Sequence, residues 1–121
     1  MRQPIVSIID DDESVRMALA SLVRSMDIDA RVFASAALFL SSNSLPVTQC
    51  VISDVAMPQM NGMEMYSILR QRGFVVPVLF ITAHYSDALV ELASSTDSVA
   101  CIEKPFHAQA VETHLNTLLR R

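Results

Sequence analysis

Five times along this chain a short apolar run is followed by a stretch whose apolar residues recur at helical spacing, and this alternation restricts the possible folds more than any other feature. Ile5 to Ile9 is the first run. Val15, Ala18, Leu19, Leu22, Val23 and Met26 then fall at i, i+3, i+4, i+7, i+8 and i+11, which predicts one apolar face of a helix. A second strand is expected at Ala30 to Phe33, with Ser35 as the N-cap of a short helix over AALFL. Cys50 to Ser53 makes a third run, closed by Asp54. Asn61 is placed to cap a helix that carries Met65, Ile68 and Leu69 inward and stops at Gly73. Pro77 to Thr82 (PVLFIT) is rich in β-branched and aromatic residues and predicts a fourth strand. Asp87 to Ser95 follows as a helix, Val99 to Glu103 (VACIE) as a fifth strand, and Ala108, Val111, Leu115 and Leu118 as the inner face of a last helix. Strand-then-helix repetition predicts an α/β fold, a parallel sheet covered on both faces.

Composition narrows the function classes. A chain of 121 residues with 51% hydrophobic residues can bury one core, so a single domain over residues 1–121 is expected. The formal net charge of −4 argues against this segment gripping nucleic acid by itself, because backbone binding needs clustered Lys and Arg. No apolar stretch approaches the ~18 residues of a membrane span, and MRQPIVSI is too short for a secretory signal. Cys50 and Cys101 sit in apolar surroundings, which predicts buried free thiols rather than a disulfide, and their spacing suits no zinc site. A cytoplasmic location is expected, with no membrane contact.

The first strand ends in SIIDDDE, an apolar run turning into three aspartates and a glutamate. At ~4 Å and an effective dielectric of ~20, each like-charged pair costs about 4 kcal/mol, so the acids must splay into water or surround something positive. Right-handed crossovers place the C-terminal end of every strand on one edge, where open sheets bind ligands. Asp10 and Asp11 end the first strand, Asp54 the third and Thr82 the fourth, and Lys104 follows the fifth; all converge on that edge. Three carboxylates there without a metal would force one to keep its proton. A Mg²⁺ ion, which takes hard oxygen ligands and keeps waters and a phosphate, removes the conflict. Lys104 adds a mobile positive charge and Thr82 a hydroxyl. Together these parts describe in-line phosphoryl transfer to a carboxylate, for which Asp54, central in the sheet and followed by a loop, fits best.

These residues resemble the receiver domain of bacterial two-component response regulators over essentially the whole chain. The resemblance is carried by the acidic pair Asp10-Asp11, by DVAMPQMNG from Asp54 to Gly62, by Thr82-Ala83, and by EKPF from Glu103 to Phe106. EKPF and the length are similar to the FixJ-like branch. The resemblance implies a (βα)5 flavodoxin-like three-layer sandwich with strand order 2-1-3-4-5. It implies that Asp54 accepts phosphate from a sensor histidine kinase's phosphohistidine, and that Asp11 and Asp54 bind Mg²⁺ directly. Asp10 would act through water, and the backbone carbonyl of Ala56 would complete the protein ligands. Lys104 would pair with the phosphoryl group, Thr82 would turn toward it once Asp54 is modified, and Lys104-Pro105 would be cis. Pro58 and Gly62 would shape the loop into the third helix. The resemblance further implies a surface of helix four, strand five and helix five that serves for phosphorylation-dependent homodimerisation. Transcription control through a C-terminal DNA-binding domain absent from this chain is implied too; a stand-alone regulator stays open.

Asp12 and Glu13 read as helix-start residues, since acids are favoured at a helix N-terminus. His84 sits where side chains of the family influence access of water to the phosphoryl group. The chain departs from the family at two places. Cys101 stands where an aromatic ring is usual, so coupling between Thr82 and the output surface is expected to be weak or to run through helix four. ASSTDSVA, from Ala93 to Ala100, has no glycine to end that helix, so Tyr85 to Ser98 is expected to be the most mobile segment. Two other classes stay open. A pseudo-receiver or flavodoxin-like binding module would never be phosphorylated. A haloacid-dehalogenase-type phosphatase shares the D-x-D spacing of Asp10 and Asp12 but needs later acids, of which only Glu112 remains.

Overall fold

The computed structural model describes residues 3–120; Met1, Arg2 and Arg121, which the single-domain reading spans, lie outside the described residues. Ten main elements alternate: β1 Ile5–Ile9, α1 Glu13–Arg24, β2 Asp29–Phe33, α2 Ala36–Leu40, β3 Cys50–Asp54, α3 Gly62–Gln71, β4 Val78–Thr82, α4 Asp87–Ser95, β5 Val99–Glu103 and α5 Ala108–Leu118. A 3₁₀ turn at Leu45–Val47 precedes β3. The strands form one parallel sheet in the order β2-β1-β3-β4-β5, with Ile8 opposite Ile52, Val51 opposite Val78 and Phe80 opposite Cys101. This is the flavodoxin-like sandwich and strand order that the sequence implied.

Side chains alternate across each strand and sort the helices into two layers. Val6 and Ile8 of β1, Cys50 and Ile52 of β3, and Leu79 and Ile81 of β4 meet Leu19, Ala20 and Val23 of α1 and Val111, Leu115 and Leu118 of α5. The opposite face, with Ile9, Val51, Val78 and Phe80, meets Phe39 of α2, Met65 and Leu69 of α3, and Leu89 of α4. A strand buried on both faces must read as a continuous apolar run, and VLFIT and CVIS do.

Helix ends follow the expected chemistry. Asn61 accepts the Glu64 N–H at 2.8 Å while the Glu64 carboxylate accepts the Asn61 N–H at 3.0 Å, a reciprocal capping box. After α3 the chain turns through Gly73 at φ +83°, a left-handed conformation that a side chain would strain. Ser35 caps α2 as expected. Four expectations need correction. Asp29 joins β2, one residue before the predicted start. Ala18 is exposed while Ala20 is buried, and Ala108 is exposed while Ala110 packs inward. A methyl group is too small to decide which way a helix rolls; the larger neighbours Leu19, Val23 and Val111 do. Cys101 is half-buried rather than buried, because β5 is the outermost strand. Both cysteines are free, and burial pushes the Cys50 thiol up to about 12.

Candidate functional site

Three strand ends and one loop build the site. Asp10 follows Val6 and Ile8 on the same side of β1, and Asp54 follows Cys50 and Ile52 on the same side of β3. The register that pairs Ile8 with Ile52 and Ile9 with Ser53 therefore sets the two carboxylates side by side. Asp10 is 1% exposed and Asp54 8%. Lys104, just past β5, places its Nζ 3.2 Å from Asp10 Oδ2 and 3.2 Å from Asp54 Oδ2. Its main chain is fixed by a 2.7 Å bond from its N–H to the Thr82 carbonyl, and the Lys104-Pro105 bond is cis as expected.

Asp11 is exposed, yet one oxygen each of Asp10, Asp11 and Asp54 lie within 4.8 Å of one another. One ammonium among three carboxylates leaves two formal negative charges uncompensated. Burial raises the pKa of Asp10 above its ordinary value, and the charge of Asp54 adds to this, against the opposing pull of the Asp12 N–H and Lys104. Burial works against the Lys104 ammonium, but the two aspartates outweigh it and the pKa of Lys104 rises. The donors are all carboxylate oxygens clustered at a partly open rim. That donor set fits a hard divalent cation such as Mg²⁺, and suits neither a soft metal nor an organic cofactor.

The expected residues divide in two. Asp10, Asp11, Asp54 and Lys104 are brought together. Thr82 and Ala56 are not in contact with them through any bond of the resting structure. Thr82 is buried and continues the Val78–Phe80 side of β4, opposite to the acids; its Oγ1 donates to the His84 carbonyl at 3.0 Å and accepts the His84 N–H at 3.3 Å. Ala56 lies exposed in the loop two residues past Asp54. Asp12 caps α1, accepting from the N–H and hydroxyl of Ser14 and from the Val15 N–H, and the Ser14 bond leads in lowering its pKa. Its role as a helix-start residue, and not a ligand, is thereby explained.

Two supporting residues escaped sequence reasoning or were read too loosely. Arg16 donates from Nη1 to the Asp10 carbonyl at 2.8 Å and so holds the end of β1 against α1. Its only sequence signal is an arginine in the first helical turn after the acids, which any solvated helix shares. Gly62 was read as shaping a loop; it is the first residue of α3, and a Cβ there would collide with the Asp54 carbonyl and approach Phe80 and Ser53 at 3.1 and 3.2 Å. The Gly62 N–H donates to the Val55 carbonyl at 2.9 Å, which clamps α3 onto the end of β3. An open depression lined by Gln49, Val75, Pro77 and Leu118 lies at the opposite end of the strands, away from the acids.

A parallel five-stranded sheet thus carries an acidic triad and a lysine at its C-terminal rim, and residues 6–116 match the response regulator receiver domain family. The chain belongs to that family and is a receiver domain of two-component signalling. It is 34% identical over 108 residues to the response regulator protein TodT of Pseudomonas putida, covering 89% of this chain and 48% of TodT. To the transcriptional regulatory protein FixJ of Azorhizobium caulinodans it is 33% identical over 116 residues, covering 96% of this chain and 55% of FixJ. The chain thus spans about half the length of the curated relatives it matches. Among solved structures, a response regulator receiver protein from Burkholderia phymatum superposes with a TM-score of 0.81 at 37% identity, covering 98% of this chain and 96% of that one.

Proposed function

We propose that this receiver, in the cytoplasm, takes a phosphoryl group onto Asp54 from the phosphohistidine of a sensor histidine kinase, with Mg²⁺ held at the same rim. One observation carries the reading: the Lys104 ammonium bridges Asp10 and Asp54 while a third carboxylate, Asp11, stands within ligand distance of both. Asp11 and Asp54 would hold the ion directly, Asp10 through water, with the Ala56 carbonyl as the remaining protein ligand. The ion supplies charge neutralisation that lets an anionic phosphate approach an anionic carboxylate.

The chain's own residues do the rest. A carboxylate oxygen of Asp54 forms the new O–P bond as the N–P bond of the donor imidazole breaks, and that electron pair leaves on the imidazole nitrogen. Lys104, already 3.2 Å from Asp54, is within reach of a phosphoryl oxygen there, where a point charge suffices. Thr82 would leave His84 and donate to another phosphoryl oxygen. The product carries nearly two added negative charges, which bias a surface with two states. Partly exposed Tyr85 and Val90 beside β5 suit a face of α4, β5 and α5 that pairs with a second copy. The relatives are about twice as long, and FixJ is named a transcriptional regulatory protein; the domain would be the N-terminal part of a regulator whose DNA-binding part lies outside this chain.

Incubation with radiolabelled acetyl phosphate tests the reading. Label should appear only with Mg²⁺, map to Asp54 and be lost in Asp54→Asn. Unlabelled wild type would instead mark a binding module, and repeated hydrolysis of a small phosphoester a phosphatase.

A further inference from the structure

Two hydroxyl groups pin the loop between β4 and α4, one from each side. Thr82 Oγ1 grips both main-chain groups of His84. The next residue, Tyr85, is 46% exposed and reaches across to donate its hydroxyl to the Cys101 carbonyl at 3.4 Å. That carbonyl has a particular position. The Ser98 carbonyl accepts from Val78 and the Lys104 N–H donates to Thr82, so even-numbered residues of β5 face β4. The main-chain groups of Cys101 therefore point out of the sheet at its open edge. Tyr85 supplies the donor that a further strand would otherwise offer. At 3.4 Å, well beyond the ~2.8 Å usual between two oxygens, the bond is weak, and an exposed ring exchanges it readily for water.

We propose that Tyr85 is a latch linking the phosphoacceptor site to the open edge of β5, closed on the Cys101 carbonyl while Thr82 grips His84 and released when the Thr82 hydroxyl is drawn away. This rests on the reading of Thr82 as a phosphoryl ligand. A threonine hydroxyl carries one proton, so it cannot serve the His84 carbonyl and a phosphoryl oxygen together. Engaging the phosphoryl group frees the His84 carbonyl, and only Ser86, the N-cap of α4, separates Tyr85 from the helix. Relaxation of His84 thus carries Tyr85 off the Cys101 carbonyl and bares the edge between α4 and α5. The signal reaches the surface through a main-chain contact and needs no large side chain on β5, where a thiol stands.

The chain has two tyrosines and no tryptophan, so a Tyr66→Phe protein labelled with 3-fluorotyrosine shows Tyr85 as a single fluorine line. Mg²⁺ and beryllofluoride, a phosphoryl mimic, are then added, and the bound fluorines of the mimic appear in the same spectrum. The Tyr85 line should move toward that of solvent-exposed fluorotyrosine as the bound fluorines appear. Thr82→Ala should move it there without the mimic, and Thr82→Ser should keep the resting line. A Tyr85 line that stays in place with the mimic bound, or in Thr82→Ala, overturns the latch. If wild type shows no bound fluorines, the phosphoacceptor reading fails, and the Thr82→Ala spectrum alone still decides whether Thr82 holds Tyr85.

Discussion

The rim around Asp10 and the corner around α4 are built to opposite standards. At the rim, α1 is capped by three bonds to the Asp12 carboxylate and ties its Arg16 to the Asp10 carbonyl; its far end ties Arg24 to the Ala30 carbonyl, and between them it buries Leu19, Ala20 and Val23. At the corner, α4 is capped by a single bond to Ser86, ends at an extended Thr96 without a left-handed residue, and fully buries Leu89 alone. A site that must hold three carboxylates against their repulsion needs a rigid frame. A surface that reports on the site needs low local stability, because a few kcal/mol of ligand energy can then shift it.

The largest effect should come from emptying the core under each helix. Leu19 and Leu89 are 1% and 0% exposed, so a burial argument alone makes Leu19→Ala and Leu89→Ala equally costly. Large-to-small changes span about 2–5 kcal/mol according to how far the site collapses. Leu19→Ala should fall near the top of that range and Leu89→Ala near the bottom, since α4 can settle onto the sheet. Urea unfolding of both variants measures this, and equal losses would break the contrast.

A smaller effect, on the order of 1 kcal/mol, should come from Asp10→Asn, as neutral replacement relieves a buried charge at a cost of about that size. The metal-free variant should be more stable than wild type at neutral pH. The sign follows from the raised pKa of Asp10. Its folded-state proton affinity exceeds that of the unfolded chain, so its contribution is complete below the ordinary value of 3.8 and is lost as pH rises through the folded-state pKa. Stability curves of wild type and Asp10→Asn should therefore meet in acid and part as pH rises from there. Curves that stay parallel would mean the carboxylate is not strained by its setting.

The smallest effect should follow Ser86→Ala, about 1 kcal/mol or less from the lost cap. Its diagnostic value is local. Hydrogen exchange from Tyr85 to Ser98 should be faster than in α1 already in wild type, and the substitution should speed it further without touching α1. Uniform protection across both helices would remove the basis for treating α4 as the movable part.

Much of this contrast was legible in the linear chain. PVLFIT and CVIS announced central strands because burial on both faces leaves no polar position to confuse the pattern. Asn61 and Ser35 announced helix starts because a cap acts on residues three positions away. The sparse capping of α4 was visible in its serines and missing glycine. The site was legible where strand ends carry acids: Asp10, Asp11, Asp54 and Lys104 were all placed on one rim, and they meet there. Less was visible where contact depends on packing. Ala18 and Ala108 were assigned inward because methyl groups weigh little against a pattern, and the bond from Arg16 to the Asp10 carbonyl leaves no trace in periodicity. The bond from Tyr85 to the Cys101 carbonyl leaves no trace in periodicity either, since its acceptor lies sixteen positions away on another strand.

The order of apolar runs and capping residues by itself determined the parallel sheet and sent the acids and Lys104 to a common edge, because strand direction and side-chain alternation are local properties. Only the tertiary structure decided which charges touch, that Thr82 rests on His84 rather than facing the acids, and that Tyr85 closes the free edge beside Cys101. Those contacts depend on the register between strands and on distances of a few tenths of an ångström. Such quantities exist only once the layers have packed.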